Sequence, residues 1–319
     1  MATNILFWTL MLTVPWGIIA FVFALFSGGM FVSFFSQLLS HMKKIRFYEK
    51  LSLQLIRMSF FSMLLFIILS FLYGYFLFYY LHIPFNLVAV KNFVLKNPIL
   101  KFYMGLFCAI FFVWTFIFFL KEIIKKYKVL FISLLGLSGI GCWILIYAGM
   151  CMRFEVALRG VENLFKRDVI HLLLHQDISC VLLFFTYLFL SIGCASLYGT
   201  FYLMVRRNRD DFGRDYYKFA IPACAKWVYF IAIFMVFMIG EAFFVYNGNI
   251  PSLVWILVGI AFLLSMVGLL FARKLISSPH PIRLKEIIIL NPLVGIMLNV
   301  VFVMFVILKF REVFWGWMF

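Results

Sequence analysis

The sequence predicts an all-α integral membrane protein whose eight transmembrane helices form two four-helix bundles. Three observations carry that expectation. Of the 319 residues, 66% are apolar and 13% charged, roughly half the charge of an average soluble chain. The apolar runs are continuous and long enough for ~20-residue spans, without the two-residue alternation of membrane barrel strands. Short charged segments separate the runs, and their basic residues fall unevenly on alternate sides, as loops of a multi-pass protein do.

Eight runs follow in order, over residues 5–39, 51–81, 99–120, 128–150, 178–205, 217–246, 252–272 and 286–309. The first has no basic segment before it and no small-residue cleavage site after it. It is also too long for a signal-peptide core, so it reads as a span. Within it stand Pro15-Trp16-Gly17 and then Ser27-Gly28-Gly29. A glycine costs a helix roughly 1 kcal/mol relative to alanine in water. Two in a row point to a notch where another helix comes close. The fifth run carries a comparable small-residue stretch, "YLFLSIGCASLYG" (187–199).

The loops after runs 1, 3, 5 and 7 hold seventeen of the 28 lysines and arginines, and the opposite side holds nine. The positive-inside rule then places both termini outside the cytoplasm. The remaining two, Arg57 and Lys226, fall inside runs 2 and 6, where long basic side chains ordinarily snorkel to the interface. The net charge of +16 is therefore a matter of topology, and the lipid bilayer rather than nucleic acid is the expected partner.

The halves resemble one another. Each holds two spans joined by a basic loop and then two more, and Arg57 and Lys226 follow the first such loop of their halves, 169 residues apart. A parallel duplication gives this pattern. The expected units are a first bundle over 1–150, an extracytoplasmic amphipathic connector over 151–177 and a second bundle over 178–319. In the connector, Val156, Val161, Leu164, Phe165, Val169, Leu172 and Leu173 recur at helical spacing, as in a helix lying on a membrane surface. The tail "FWGWMF" (314–319) adds two tryptophans suited to the same interface.

Candidate chemistry is sparse. All five histidines fall at span ends or in loops, so no haem held between mid-membrane histidines is expected. His171 and His175 are spaced i, i+4, which suits a metal pair or simply two polar side chains on an interfacial helix. No further ligand is evident, and no metal site is expected. Six scattered cysteines make no metal-ligand spacing. Most read as small apolar side chains, while Cys151 and Cys180 both fall near the outer surface, where a disulfide between them can form. Glu241 stands well inside an apolar run, "FMIGEAFF". It can exchange protons or bond a ligand, or it can sit at headgroup depth or pair with a neighbouring span. Asn299, near the middle of run 8, reads first as an interhelical hydrogen bond. Trp16, Tyr73, Tyr75, Tyr79, Tyr80, His82, Tyr147 and Arg153 gather at the outer ends of the first half. Tyrosine and tryptophan suit that depth anyway, but flat apolar walls with polar donors are also what a quinone ring needs. No phosphate-binding loop, nucleophile elbow or zinc-protease signature is present.

"PWGIIAFVFALFSGGMF" (15–31) and the 187–199 stretch resemble the Trp-Gly and "YLFLxGxxAG" openings of the NrfD/polysulfide-reductase membrane-subunit family. "IPACAKWVYFIAIFMVFMIGEAFF" (221–244) is similar to that family's sixth helix. "NPLVGIMLNVVFVMFVILKF" (291–310) is similar to its last. Asn299 stands where the family has arginine, and the spacing from Trp16 to Gly28 is one residue longer. The resemblance implies a haem-free, quinol-reactive subunit of a respiratory oxidoreductase in a bacterial inner membrane. Such a subunit binds menaquinone or ubiquinone near the outer face and exchanges electrons with an extracytoplasmic iron–sulfur or multihaem cytochrome c subunit. On this reading Trp16, Tyr75, His82, Tyr147, Arg153 and Glu241 surround the quinone. Arg159, Lys166, Arg167, His171 and His175 dock the partner, and no residue of the chain is catalytic alone. The alternatives are a structural anchor with no quinone site of its own and a two-repeat transporter.

Overall fold

The computed structural model describes residues 2–81, 98–124, 126–159, 178–210, 212–246 and 252–309. Among these residues there is no strand. The chain forms α1 (Ala2–Lys43), α2 (Arg46–Leu81), α3 (Pro98–Ile124), α4 (Lys128–Arg159), α5 (Ile178–Arg206), α6 (Arg214–Ala225), α7 (Phe230–Tyr246), α8 (Ser252–Ser277) and α9 (Lys285–Lys309). Eight stretches of the described residues are long and apolar enough to cross a membrane, with α6 and α7 together making the sixth. This is a multi-pass α-helical membrane protein.

Two elements differ from the sequence expectation. α4 continues to Arg159 instead of stopping at residue 150. The segment "CMRFEVALR" has no proline or glycine to end it, and the next glycine after Gly149 is Gly160. The sixth span is not one unbroken helix. Pro222 lies inside α6 and lacks the N–H that would bond the carbonyl four residues back. One turn later the chain tightens into a 3₁₀ turn at Lys226–Tyr229, and α7 then starts at Phe230.

The core is built around α1 and α5, which pack along one another and both against α9. Their approach accounts for the paired small-residue stretches. A Cβ on Gly28 would land on the backbone carbonyl of Ser191 and lie 2.9 Å from the Ala195 methyl. The notch of the first half therefore fits into the small-residue run of the second. Nearby, the Tyr187 hydroxyl donates to the Ala20 carbonyl at 2.9 Å, and its ring stacks on Phe23. Gly295 of α9 makes room for the edge of Phe21 on α1. A close seam thus runs between the halves, alongside the tight packing of α1 on α2 within the first. This packing does not by itself divide the molecule into two four-helix bundles.

α3 lies at the edge, packed on α4 and more lightly on α2. Phe112 and Phe119 on α3, Phe71 on α2 and Leu263 on α8 are all at least 65% exposed. In water such a surface would drive aggregation; in a bilayer it is the lipid-facing side.

α5 and α9 are stitched by buried polar groups. Asn291 Nδ2 donates to Thr200 Oγ1 at 2.8 Å. Asn299 Nδ2 donates to Cys194 Sγ at 3.2 Å and to the Gly295 carbonyl at 2.9 Å. The interhelical role expected of Asn299 is observed. With no water in the hydrocarbon, such bonds replace the hydration each amide NH₂ group loses.

Candidate functional site

Two polar clusters occupy opposite ends of the helix assembly. The first lies away from the basic loops, at the start of α5. Glu241, on α7, is fully buried and its Oε1 accepts a 2.7 Å hydrogen bond from Ser179 Oγ. The next residue, Cys180, is also fully buried, and its sulfur lies 3.7 Å from that of Cys151 on α4. One turn earlier on α4, Tyr147 shares a hydrogen bond with Cys151 and packs edge-on against Phe184 of α5. The first turn of α5 therefore joins a carboxyl from α7 to a phenol and a thiol from α4. Because Cβ atoms one turn apart share a helix face, Tyr147 and Cys151 reach the same neighbour.

Two of the six expected quinone residues, Tyr147 and Glu241, are brought to this end through Cys151, Cys180 and Ser179. Trp16 lies on α1 with its ring 6.4 Å from that of Tyr73 on α2. Tyr75 is 68% exposed and faces away from the helix assembly, so the structure does not bring it to Tyr147 and Glu241. His82 lies outside the described residues. Arg153 and Arg159 are on α4, but their side chains are outside the described part. The rest of the expected docking set, Lys166, Arg167, His171 and His175, also lies outside the described residues, as does most of the 151–177 connector.

The second cluster, at the basic end, has no counterpart among the sequence expectations. Its centre is Asp210, just past α5. One carboxylate oxygen accepts from Arg206 Nη2 at 2.8 Å and faces Arg57 Nη1 at 3.5 Å. The other accepts from Arg206 Nε at 3.1 Å and from Gln54 Nε2 at 2.9 Å. The Arg206 contact is the bidentate fork that a guanidinium makes best. Tyr216 Oη donates to Gln54 Oε1 at 2.5 Å, and Tyr217 Oη donates to the Asp210 carbonyl at 3.0 Å. Lys50 lies 4.8 Å from the centre of the Phe212 ring, within cation–π range. Gln54 and Arg57 come from α2, so Asp210 ties the third basic loop to the second span.

Burial pushes the Asp210 carboxyl up. The hydrogen bonds from Arg206 and Gln54 and the charges of Arg206 and Arg57 outweigh that, leaving it below its ordinary value. Arg57, expected to snorkel to the interface, reaches the basic end of the assembly, where it meets a carboxylate of the other half. Lys226, its expected counterpart by repeat position, is exposed on the 3₁₀ turn of the sixth span. The two residues do not play matching parts. Beside this cluster, Arg207, Arg214, Lys218, His280 and Arg283 line a cavity of about 70 Å³ together with Ile282. Its lining suits an anion, at the end away from the expected quinone residues.

Compared with family models, curated proteins and solved structures, the chain gave no match to any of the three.

Proposed function

We propose that the protein is the quinone-interacting membrane subunit of a respiratory oxidoreductase in a bacterial inner membrane, with the basic loops in the cytoplasm and both termini outside. It exchanges electrons between the quinone pool and an extracytoplasmic iron–sulfur or multihaem cytochrome c subunit. The observation that carries this reading is a buried carboxyl, Glu241, held by Ser179 at the end away from the basic loops. It shares that end with the Tyr147 phenol. An ionisable group at membrane depth is costly and is kept where it works.

The quinone, when bound, supplies two-electron, two-proton chemistry. The chain supplies position and proton contacts. Glu241 takes or gives a proton at its carboxylate oxygens, with Ser179 holding one of them in place. Tyr147 offers a phenolic hydrogen bond from the next helix. The apolar side chains around them exclude water, which strengthens both contacts.

The test is quinol turnover by the intact complex purified in detergent. Glu241→Gln keeps the shape and the Ser179 contact but carries no exchangeable carboxyl proton. Turnover is expected to fall about a hundredfold, the low end of the range for loss of a general acid–base group. The complex should still assemble. Unchanged turnover removes Glu241 from the site.

A second reading, a two-repeat transporter, is favoured by the broken sixth span and by the Asn299–Cys194 contact inside the assembly, since carriers use interrupted helices and buried polar groups. Purification separates the two. An electron-transfer subunit brings down a partner with haem or iron–sulfur spectra and carries quinone, whereas a transporter brings down neither.

A further inference from the structure

Cys151 and Cys180 come from helices on either side of the 152–177 connector, one ending a span and the other beginning the next. Their sulfurs stand 3.7 Å apart, and both residues are fully buried. The other four cysteines are placed differently. Cys194 and Cys224 touch Asn299 and the Ser196 carbonyl, Cys142 is enclosed in the core, and Cys108 is exposed on α3. One pair of six thiols is thus aligned sulfur to sulfur, at the end opposite the basic loops.

We propose that Cys151 and Cys180 form a disulfide in the mature protein, closing the connector into a loop and fastening α4 to α5 beside Tyr147 and Glu241. The proposal rests on the orientation given above, which places this end in the extracytoplasmic compartment where disulfides persist. The sulfurs need only close from 3.7 Å to the ~2.05 Å of an S–S bond. Both cysteines sit near span ends, where rotation about χ1 and a small helix shift supply that movement.

The oxidant is a disulfide-bearing thiol oxidoreductase of that compartment, acting before the helices close over the pair. One cysteine thiolate attacks a sulfur of the oxidant's disulfide, giving a mixed disulfide and releasing one oxidant thiolate. The second cysteine thiolate then attacks its partner's sulfur in the mixed disulfide and displaces the other. The two cysteines lose two electrons and two protons in all. The oxidant gains both electrons and leaves as a dithiol.

The full-length protein in its native membranes tests this. Thiols are blocked with N-ethylmaleimide under denaturing, non-reducing conditions, then the sample is reduced and tagged with a polyethylene-glycol maleimide. Wild type should gain two tags. Cys151→Ser and Cys180→Ser should each gain none, and Cys108→Ser should still gain two. Peptide mapping without reduction should show the Cys151 and Cys180 peptides joined. No tags in wild type, or two tags surviving in Cys151→Ser, overturns the proposal. A Ser277→Cys label on the Cys108→Ser background keeps orientation separate. An impermeant maleimide should reach it only in opened cells, and labelling of intact cells refutes the orientation whatever the state of the cysteine pair.

Discussion

Gly28→Ala is expected to weaken the fold, although the same exchange inside a helix ordinarily strengthens it by about 1 kcal/mol. The reason is what the methyl meets. At Gly28 it would fall on the Ser191 carbonyl and against Ala195 of α5. Those are backbone and Cβ atoms, which have no rotamer to escape into. The helices must separate, and overpacking of that kind costs about 1–3 kcal/mol, occasionally more. Separation also lengthens the neighbouring Tyr187–Ala20 hydrogen bond and loosens contacts to α9. Gly139→Ala on α4 is the matched comparison, because nothing lies within 4 Å of the Cβ it would add. It should raise the detergent melting temperature slightly or leave it unchanged, while Gly28→Ala lowers it by several degrees. Gly28→Val should go further and reduce the yield of folded protein. Equal melting temperatures for Gly28→Ala and Gly139→Ala would mean that α1 and α5 do not meet at this notch.

The glycine pair is legible in the sequence as a packing notch because two adjacent glycines weaken a helix, and close approach of a second helix offsets that loss. The partner of the notch is not legible. Helical periodicity says which face of a helix is small, but not which other helix fills it, and the matching stretch at 187–199 reads equally well as a repeat of the first. The eight spans are legible because hydrocarbon thickness fixes their length. The break in the sixth is not. Pro222 is visible in the sequence, but prolines in spans are tolerated when neighbours satisfy the freed carbonyl, and Pro15 and Pro292 sit inside helices that continue.

Within the candidate site, Glu241 stands out in the sequence because a carboxyl in "FMIGEAFF" is costly to hold at that depth. Ser179 does not, since serine is ordinary in membrane helices, and Cys180 stands out only as a disulfide partner for Cys151. The Asp210 cluster hides behind a charge count. In the loop "RRNRDDFGRD" the arginines set the topology, and the acids look like mere charge balance. A signal is present in the i, i+4 pair Arg206 and Asp210 and in the polar Gln54 and Arg57, three residues apart and so on one side of their span. What the pattern of one chain cannot supply is that α2 and the end of α5 are neighbours.

Asp210→Asn is expected to be the most damaging change at the basic end. The amide has nearly the shape of the carboxylate, so packing is kept. It can accept at one oxygen only, and its NH₂ group faces two guanidinium donors. Arg206 loses one arm of its fork, and Arg57 loses the carboxylate it faces at 3.5 Å. Both arginine side chains keep 25–30% of their surface exposed, so water and salt recover part of the loss. About 2 kcal/mol is the expected cost, in the range for hydrogen bonds to charged groups. The same geometry fixes the pH dependence. The folded protein holds the Asp210 carboxyl below its ordinary value, so the ionised form is the one that folding favours. Its contribution is complete above the ordinary carboxylate pKa of about 3.9 and drains away as pH falls through the lower folded value. Melting curves in detergent should therefore separate wild type from Asp210→Asn at pH 7 and bring them together toward pH 3. Raising ionic strength at pH 7 should narrow the gap, because the arginine arms are partly in water. A gap that persists undiminished at pH 3 would show that Asp210 stabilises the loop by shape and not by charge. Arg57→Gln separates the two contributions further. It removes the charged contact between halves and leaves the Arg206 fork and the Gln54 bond, so it should cost less than Asp210→Asn and keep the same direction with pH.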